Sequence, residues 1–316
     1  MKFTRMRAAQ TIAGAAASPW LFAKAAAQAT TIRVAMPPIE PACLVYYAKE
    51  NGYFDKAGLD VDITQNPSTP AIVSATAAGT YDIAYATIST LAVAHVKGLP
   101  FVIIAADGGI IPGRMAGAIM VPLNSPIKTA KDLEGKTFGA AGLNTIAEYA
   151  PRAWIDKHGG DSTTVKFIEI PFPEAPGALA TGRIDATYLV EPFITIVTKR
   201  NIGKILATGD DAIAPRFLAT VWYTTSQYAK AHPDNVTRFA SAISEAARWA
   251  NANPSSVVPL LSKYLKADPA IVAAAARPYY FERLVTAEMQ PWINVTAKYA
   301  KFTVFPASEL VYTAGR

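Results

Sequence analysis

The chain has 316 residues, of which 51% are hydrophobic and 17% charged, and its formal net charge is +6. This composition excludes a disordered or fibrous chain and leaves room for one large or two ordinary globular domains. A single cysteine excludes an intramolecular disulfide.

The first 29 residues are typical of a secretory signal peptide rather than of a folded helix. Three basic residues precede an alanine-rich apolar stretch, which ends in the small-x-small sequence of Ala27, Gln28 and Ala29. We therefore predict cleavage near Ala29 and a periplasmic mature chain. The lost segment holds four basic residues and no acidic one, so the net charge falls to about +2. With no basic stripe carrying interleaved aromatics, we expect no binding to nucleic acid.

The mature chain begins with a strand, a helix and a second strand. Residues 31–36 predict the first strand and residues 43–49 an apolar helix, in which Cys43 is a small buried side chain. Gly52 suits the left-handed position just past that helix, and Gly58 allows a positive φ after the turn that follows. In the next strand, apolar residues alternate with Asp60 and Asp62. We favour a solvated edge strand over a pair of catalytic carboxylates.

The same alternation continues in two series. Further helices are predicted at 70–79, 89–98, 145–160 and 174–182, and further strands at 81–86, 100–106, 137–142, 165–170, 184–190, 204–208 and 217–225. Strands that alternate with helices of about ten residues indicate α/β units with largely parallel sheets. The last third is mostly helical, with Asp234 and Asp268 as candidate helix caps.

An internal repeat supports two α/β units. Shifting the chain by 103 positions aligns six identical residues over sixteen positions, among them Gly79 with Gly182, Asp82 with Asp185, and Tyr85 with Tyr188. One or two identities are expected by chance, so the repeat is short but real. Both copies predict a helix, a Gly-x-x-Asp turn and a strand.

Motifs for catalysis are nearly absent from the chain. The three histidines are widely spaced, and the sequence has no Cys-x-x-Cys, Gly-x-Ser-x-Gly or phosphate-loop pattern. We therefore predict a protein that is not an enzyme and that uses no cofactor and no metal.

Polar residues at the predicted ends of strands favour a binding site instead. Ligands of open α/β sheets lie beyond the carboxyl ends of the strands, where helix N-termini present unpaired N–H groups. The hydroxyl residues among the candidates are as well explained by helix capping, and the aromatic ones by the core. Glu191 is harder to explain as a cap. The candidate ligand-binding residues are Glu40, Ser68, Thr69, Thr87, Ser89, Asn144, Thr145, Phe172, Tyr188, Glu191 and Trp222.

Several motifs together resemble a known family. They are ENGYFDKAGLDVDI, AAGTYDIAYA and KGLPFVIIA in the first half, and IKTAKDLEGKTFGAAG, LATGRIDATYLVEPF and NPSSVV in the second. With the signal peptide, they resemble the periplasmic substrate-binding proteins of the sulfonate, taurine, nitrate and thiamine-precursor group. The resemblance covers nearly the whole mature chain.

The resemblance implies a type II periplasmic binding fold, an α/β protein of two lobes with a ligand cleft between them. Each lobe would be a mixed, mostly parallel sheet flanked by helices. One lobe would comprise residues 30–112 and 218–316 and the other residues 113–217, with crossovers near 107–117 and 217–223. By the resemblance, the cleft would be formed by Glu40, Thr69, Thr87, Asn144, Thr145 and Glu191.

The resemblance also implies a function and partners. A monomer would bind a small solute by hinge closure and deliver it to an ABC permease and ATPase complex in the inner membrane. The named loops contain two carboxylates and no Arg or Lys, which weakens the case for an inorganic anion. A sulfonate, an aromatic acid or a pyrimidine-type solute stays open, and Glu40 and Glu191 would suit one with amino or hydroxyl donors.

Two alternatives stay open at this point. The chain is also compatible with a solute-sensing extracytoplasmic partner of a membrane receptor. Related pyrimidine-synthesising enzymes share the fold, but the resemblance implies a cysteine-rich motif for them, and this chain has one cysteine and a predicted signal peptide.

Overall fold

Two five-stranded β-sheets flanked by helices organise the protein in the computed structural model, which describes residues 31–115 and 117–313. The predicted signal peptide and its cleavage site near Ala29 lie outside the described residues. Within the described ranges, no helix combines the length and the apolar character needed to cross a bilayer.

The predicted strands occur along the chain in the predicted order, but the structure adds three strands that the sequence did not predict, at Gly108–Ile110, Ala118–Pro122 and Tyr279–Tyr280. The strands are β1 (Thr31–Met36), β2 (Asp60–Gln65), β3 (Ile83–Thr87), β4 (Phe101–Ala106), β5 (Gly108–Ile110), β6 (Ala118–Pro122), β7 (Thr137–Ala140), β8 (Lys166–Glu169), β9 (Ala186–Leu189), β10 (Gly203–Ala207), β11 (Phe217–Leu218), β12 (Thr220–Thr225) and β13 (Tyr279–Tyr280).

Helices connect most of these strands and make up most of the last third of the chain. They are α1 (Leu44–Glu50), α2 (Tyr53–Lys56), α3 (Thr69–Ala77), α4 (Ile88–Val96), α5 (Ile146–Lys157), α6 (Ala175–Ala180), α7 (Phe193–Lys199), α8 (Ser226–Ala231), α9 (Pro233–Ala252), α10 (Val257–Leu265), α11 (Pro269–Ala274) and α12 (Thr286–Ala300).

The first sheet has the order β2-β1-β3-β12-β4. β1 pairs in parallel with β2 and β3, whereas β12 runs antiparallel to both β3 and β4. Four strands therefore point one way and β12 points the other. Ile32 and Val34 in β1 are fully buried, as expected for an inner strand with helices on both faces.

The second sheet repeats this arrangement in the order β10-β6-β9-β7-β8. β7 pairs in parallel with β8 and β9, and β6 runs antiparallel to β9 and β10. The antiparallel strand of the second sheet, β6, follows the crossing from the first sheet, and the antiparallel strand of the first sheet, β12, follows the return. The prediction of mixed, mostly parallel sheets is confirmed.

The internal sequence repeat corresponds to a structural repeat. The Asp82 carboxylate accepts the N–H of Arg33 at 2.8 Å, and the Asp185 carboxylate accepts the N–H of Thr137 at 2.8 Å. The two aspartates, each next before a strand, thus tie the start of β3 to β1 and the start of β9 to β7 in the same way. We call these two contacts the aspartate clamps.

A third, short sheet joins the two crossovers. The chain passes from β4 to β6 through residues 107–117 and returns from β10 to β12 through residues 208–219, and β5 in the first segment pairs with β11 in the second. β13 pairs with the other side of β5. A Cβ atom at Gly109 would lie 2.2 Å from the carbonyl oxygen of Phe217, so this close pairing requires glycine. The exact lobe boundaries at 112/113 and 217/218 stay a prediction.

The segment from residue 50 to residue 63 behaves as its glycines predict. Gly52 and Gly58 have φ values of 68° and 67°. Between them the chain forms the short helix α2 rather than a plain turn, and the buried Phe54 stacks on Phe239 of α9 with ring centroids 5.4 Å apart. This segment therefore anchors a helix against the first sheet.

Two interpretations that gave residues a structural rather than a functional role are confirmed. β2 lies at the edge of the first sheet, and Asp60 and Asp62 are exposed on it. Cys43 is buried, with its thiol 3.4 Å from the carbonyl oxygen of Ile39.

Two local predictions are wrong. Asp234 is not a helix cap, because α9 begins at Pro233 with His232 in the cap position. Residues 217–225 do not form one strand, because β11 pairs in the third sheet and β12 in the first. The predicted cap at Asp268 is confirmed, since its carboxylate accepts the N–H of Ala270 at 2.8 Å.

Candidate functional site

A small cavity lies between the two large sheets, near the carboxyl ends of β3, β7 and β9. Measured as the space open to the centre of a water molecule, it has a volume of about 50 Å³. The residues that line it are Pro37, Ile39, Pro41, Thr69, Tyr85, Thr87, Gly108, Gly109, Ala141, Gly142, Thr145, Ile146, Ala147, Phe172, Tyr188, Val190, Ala219, Thr220 and Pro278.

Three helices begin at this cavity. Thr69 opens α3, Thr87 caps α4, and Thr145 caps α5. The Thr87 hydroxyl accepts the N–H of Thr90 at 3.1 Å, and the Thr145 hydroxyl accepts the N–H of Ala147 at 3.2 Å. Because the first N–H groups of a helix have no partner within it, each start carries a partial positive charge. The three starts together favour a negatively charged group in the cavity.

The side chains around the cavity carry no formal charge. Within the described lining there is no Asp, Glu, Lys, Arg or His. Apolar and aromatic groups make up most of the wall, and the polar groups are hydroxyls and backbone amides. A charged group held here would therefore be neutralised by helix dipoles rather than by an ion pair.

The cavity brings together five of the residues predicted from the sequence. Thr69 and Thr87 come from the first sheet and its connections, and Thr145, Phe172 and Tyr188 from the second sheet and its connections; Thr87 ends β3 and Tyr188 lies in β9. Their direct contact with a solute stays a prediction. Their convergence follows from the rule that the carboxyl ends of parallel strands share one edge of a sheet.

Four other candidates lie away from the described lining. Ser68 accepts the N–H of Ala71 at 3.3 Å and so caps α3. Ser89 is fully buried within α4, and Trp222 is fully buried on β12 in the core of the first sheet. Asn144 lies in the loop before α5, in a left-handed conformation with φ of 61°.

Glu40 is buried next to the cavity but does not line it. Its carboxylate is 2.5 Å from the guanidinium of Arg277, and its side chain is 2% exposed. Burial raises the pKa of Glu40 to about 8, although Arg277 opposes this shift. The lining residues Ile39 and Pro41 flank Glu40 on either side. Glu40 thus contributes to the wall through its neighbours.

Like Glu40, Glu191 lies beside the cavity without lining it, on the side of the second sheet. Its carboxylate accepts the N–H of Thr195 at 3.1 Å, the hydroxyl of Thr195 at 3.0 Å and the N–H of Ala276 at 3.1 Å. Its carbonyl oxygen accepts the N–H of Glu40 at 3.2 Å. Burial raises the pKa of Glu191, and these hydrogen bonds oppose the shift. That the two acids meet amino or hydroxyl donors of a solute stays a prediction.

We call Glu40, Glu191 and Arg277 the wall cluster. The cluster joins a loop of the first sheet, a loop of the second sheet and the segment that leads to β13. Each member is next in sequence to a lining residue, and Pro278 is the one after Arg277. Sequence reasoning missed Arg277, because 237 residues separate it from Glu40 and no local pattern links the two.

Sequence reasoning also missed Tyr85 and Thr220. A signal for Tyr85 was present, because the internal repeat aligns it with Tyr188 and both line the cavity. The Thr220 hydroxyl donates to the carboxylate of Asp107 at 3.3 Å and accepts the N–H of Gly108 at 2.9 Å. Asp107 is fully buried, and burial raises its pKa to about 8. The crossovers thus supply polar support directly behind the cavity.

The described residues contain no group of three or more His, Cys, Asp or Glu side chains arranged to hold a metal ion. Burial raises the pKa of the Cys43 thiol well above its usual range, so this side chain stays a neutral thiol. The lining that the structure describes holds hydroxyl groups but no Asp, Glu, Lys or His side chain.

Comparison with known proteins identifies relatives over most of the chain. A family model described as NMT1/THI5 like matches residues 42–257. A putative aliphatic sulfonates-binding protein of Bacillus subtilis (strain 168) is 27% identical over 232 residues, which are 71% of this chain and 67% of that protein. A formylaminopyrimidine-binding protein of Halalkalibacterium halodurans is 31% identical over 151 residues, 45% of this chain and 41% of that one.

A solved structure shows the same fold. The alkanesulfonate-binding protein SsuA from Xanthomonas axonopodis pv. citri, bound to MOPS, matches with a TM-score of 0.74 and 18% identity. The match covers 90% of this chain and 98% of that one. At this identity the likeness concerns the fold alone.

Proposed function

The chain belongs to the NMT1/THI5-like family, and on that premise we propose that it is the periplasmic solute-binding component of an ABC import system. Its ligand is a small organic anion held in the cavity between the two sheets. The observation that carries this proposal is the meeting of three helix starts at an uncharged cavity. The predicted signal peptide supports a periplasmic location, and the names of the relatives support a binding role.

The anionic character of the solute is argued from the lining. The two carboxylates, which in the sequence weaken the case for an inorganic anion, belong to the wall cluster, where Arg277 and backbone N–H groups satisfy them. The helix starts of α3, α4 and α5 remain as the polar ends that face the solute. A sulfonate or a carboxylate fits these donors better than a cationic or neutral pyrimidine.

Binding is coupled to closure of the two lobes. A solute in this cavity touches residues from both sheets, so it makes its full set of contacts in the closed state alone. Its binding energy then shifts the equilibrium from open to closed, and the closed state is the form that the permease and ATPase complex receives. No chemical step is required, in line with a buried, neutral thiol at Cys43.

A thermal-shift screen of the purified protein tests the proposal. The compounds are alkanesulfonates, aromatic acids, pyrimidines and nitrate. We expect an organic anion to raise the melting temperature, since a ligand at 100 times its dissociation constant stabilises the folded state by about 2.7 kcal/mol. A screen in which no compound binds, or in which a pyrimidine alone binds, contradicts the proposal.

Two matched variants assign the hit to the cavity. Ala147→Asp places a carboxylate among the lining residues at the start of α5, and we expect it to abolish the shift through repulsion. Ala71→Asp adds the same charge in the first turn of α3, at an exposed position outside the described lining. If both variants bind the compound as the unchanged protein does, the binding site is not this cavity.

A further inference from the structure

Helix α12 packs against two helices that begin at the cavity. One of them is α4, which follows β3 of the first sheet, and the other is α5, which follows β7 of the second. Thr87 caps α4 and Thr145 caps α5, and both residues line the cavity. Helix α12 itself contributes no residue to the described lining. It therefore lies outside the site but touches, from each sheet, one of the helices that form the site.

Helix α12 is fixed firmly to the side of the first sheet. Trp292 of α12 is fully buried. The carboxamide of Gln290 accepts the N–H of Ala307 at 2.8 Å and donates to the carbonyl oxygen of Phe305 at 3.0 Å. The ring of Phe305 lies in turn on the ring of His95 in α4, with centroids 4.4 Å apart. Because α12 and α4 are joined both directly and through this segment, we expect α12 to move with the first sheet.

The contact between α12 and α5 is built around Tyr299. Its ring stacks on the ring of Tyr149, with centroids 6.0 Å apart and an interplanar angle of 15°, and its hydroxyl donates to the carboxylate of Asp156 at 2.8 Å. Lys298 donates to the same carboxylate oxygen at 3.0 Å. Tyr149 and Asp156 are seven residues apart, so they lie on one face of α5. We call these four residues the α12 contact.

The α12 contact is connected to the start of α5. The Tyr149 hydroxyl donates to the carboxamide oxygen of Asn144 at 2.9 Å, and Asn144 directly precedes Thr145. The other oxygen of the Asp156 carboxylate accepts the N–H of Ser162 at 3.0 Å, so this acceptor is held in place from its own side. The α12 contact thus acts on a helix that is tied at one end to the cavity.

We propose that Lys298 and Tyr299 are positioning residues for solute binding, which set the distance between the starts of α4 and α5 from outside the cavity. This inference rests on the proposed function and adds to it two residues that control the affinity. The helix starts can hold one solute together only at a suitable spacing, since hydrogen bonds weaken steeply outside their preferred geometry. Loosening α12 from α5 therefore weakens binding, although no group is removed from the cavity.

Calorimetric titration of a double variant tests this inference. Lys298→Met with Tyr299→Phe removes both donors to Asp156 and keeps the stacked ring. The probe is whichever of the screened alkanesulfonates and aromatic acids gives the largest thermal shift, with butanesulfonate and benzoate as the first two compounds tested. We expect its affinity to fall roughly three- to tenfold, as for the loss of a modest hydrogen bond. An unchanged or higher affinity overturns the inference.

A second Lys-Tyr pair supplies a closely matched control. Lys263 and Tyr264 of α10 donate to the carboxylate of Glu50 in α1, and Tyr264 also stacks on another tyrosine ring. Lys263 and Lys298 are 60% and 62% exposed, and Glu50 and Asp156 are 31% and 26% exposed. Both helices lie on the side of the first sheet, since α1 connects β1 with β2 and α10 packs against α1.

The control separates positioning from general destabilisation. We expect Lys263→Met with Tyr264→Phe to lower the stability against urea about as much as the α12 double variant does, but to leave the affinity unchanged. Equal losses of affinity in the two double variants overturn the inference. If the α12 double variant does not fold, Tyr299→Phe alone removes one oxygen atom and is expected to lower the affinity in the same direction.

The two proposals fail in different ways. If an organic anion binds the unchanged protein and the α12 double variant equally well, the positioning role is wrong and the proposed function stands. If no organic anion of the screen binds the unchanged protein, the proposed function is wrong, and the positioning role falls with it.

Discussion

Three buried carboxyl groups are concentrated around the cavity. Asp107, Glu40 and Glu191 come from the first crossover and from loops of the two sheets, and burial raises the pKa of each. Glu40 has a cationic partner in Arg277, whereas Asp107 has the Thr220 hydroxyl and a backbone N–H nearby. Side chains of this kind hold loops in place where water is excluded, but they make the fold sensitive to pH.

Stability should fall as the pH rises between about 5 and 8. Burial raises the pKa of Asp107 and of Glu40 to about 8, above the usual values of 3.8 and 4.5. The folded state then binds more protons than the unfolded state in this window, so each group lowers the unfolding free energy by up to about 1.4 kcal/mol per pH unit. Burial acts in the same direction on Glu191. Denaturant unfolding between pH 5 and 9 measures the slope.

Two substitutions make the pH experiment specific. Asp107→Asn keeps the shape of the side chain and removes its titration, so its stability should depend less steeply on pH than that of the unchanged protein. Asp62→Asn, on the exposed edge strand, should leave the slope as it is. Asp156 does not contribute to the slope in this pH range. Burial alone would raise its pKa, but hydrogen bonds from Ser162, Lys298 and Tyr299 outweigh burial and lower the pKa to about 2. If stability depends on pH with the same slope in the unchanged protein, Asp107→Asn and Asp62→Asn, the prediction is contradicted.

At the scale of elements, the aspartate clamps explain the internal repeat. In each sheet a Gly-x-x-Asp turn precedes a strand, and its carboxylate accepts the N–H of the neighbouring strand at 2.8 Å. The backbone at each turn returns the bond, from Asp82 N–H to Arg33 at 2.8 Å and from Asp185 N–H to Thr137 at 2.9 Å. The repeat therefore encodes how two parallel strands are brought into register.

Removing a clamp should destabilise the protein by about 1.5 to 3 kcal/mol, which is typical of a hydrogen bond to a charged acceptor. Asp185→Ala tests the second sheet and Asp82→Ala the first. Asp82 also pairs with the half-exposed guanidinium of Arg33 at 2.6 Å, which adds little. Asp62→Ala, on the exposed face of β2, should cost less than about 0.5 kcal/mol. Urea unfolding of the three variants makes the comparison, and equal losses for Asp185→Ala and Asp62→Ala would rule out the clamp.

At the scale of the whole molecule, the third sheet and α12 link the two large sheets. β5 and β11 carry the chain across in opposite directions and pair with each other. Near the end of α12, Lys298 and Tyr299 donate to the Asp156 carboxylate of α5 at 3.0 and 2.8 Å. The wall cluster adds the hydrogen bonds that Glu191 accepts from Glu40 and Ala276. Since the covalent connections between the two sheets are two short crossovers, a hinge is the natural mode of motion.

Solution scattering should detect this motion. The protein saturated with its screening hit should have a radius of gyration near the value of about 20 Å expected for a compact chain of this length. The free protein should show a larger value, because no solute bridges the sheets. The same radius with and without the solute would contradict hinge closure. A compound of similar charge that gives no thermal shift serves as the control.

The local pattern of the sequence was sufficient for most of the fold. Alternating apolar residues and glycine stops placed most strands and helices of both sheets, because hydrophobic periodicity and positive φ are properties of a few neighbouring residues. They did not place β6, an inner strand of the second sheet, or the helix α7. The repeat indicated two similar units, and the family motifs indicated their arrangement. The end of one strand and the start of another at Ala219 escaped this reasoning, since different sheets select the pairing of β11 and β12.

At the candidate site, some residues were determined by local sequence and others by the tertiary structure. Thr69, Thr87 and Thr145 were predictable because each follows a strand and opens a helix, and this local position already implies the binding edge of an α/β sheet. What the tertiary structure alone decided is which way Glu40 and Glu191 point. Arg277 lies 237 residues from Glu40 in sequence and pairs with its carboxylate in the wall cluster. Burial and charge pairing depend on residues distant in sequence, so they are determined when the sheets come together.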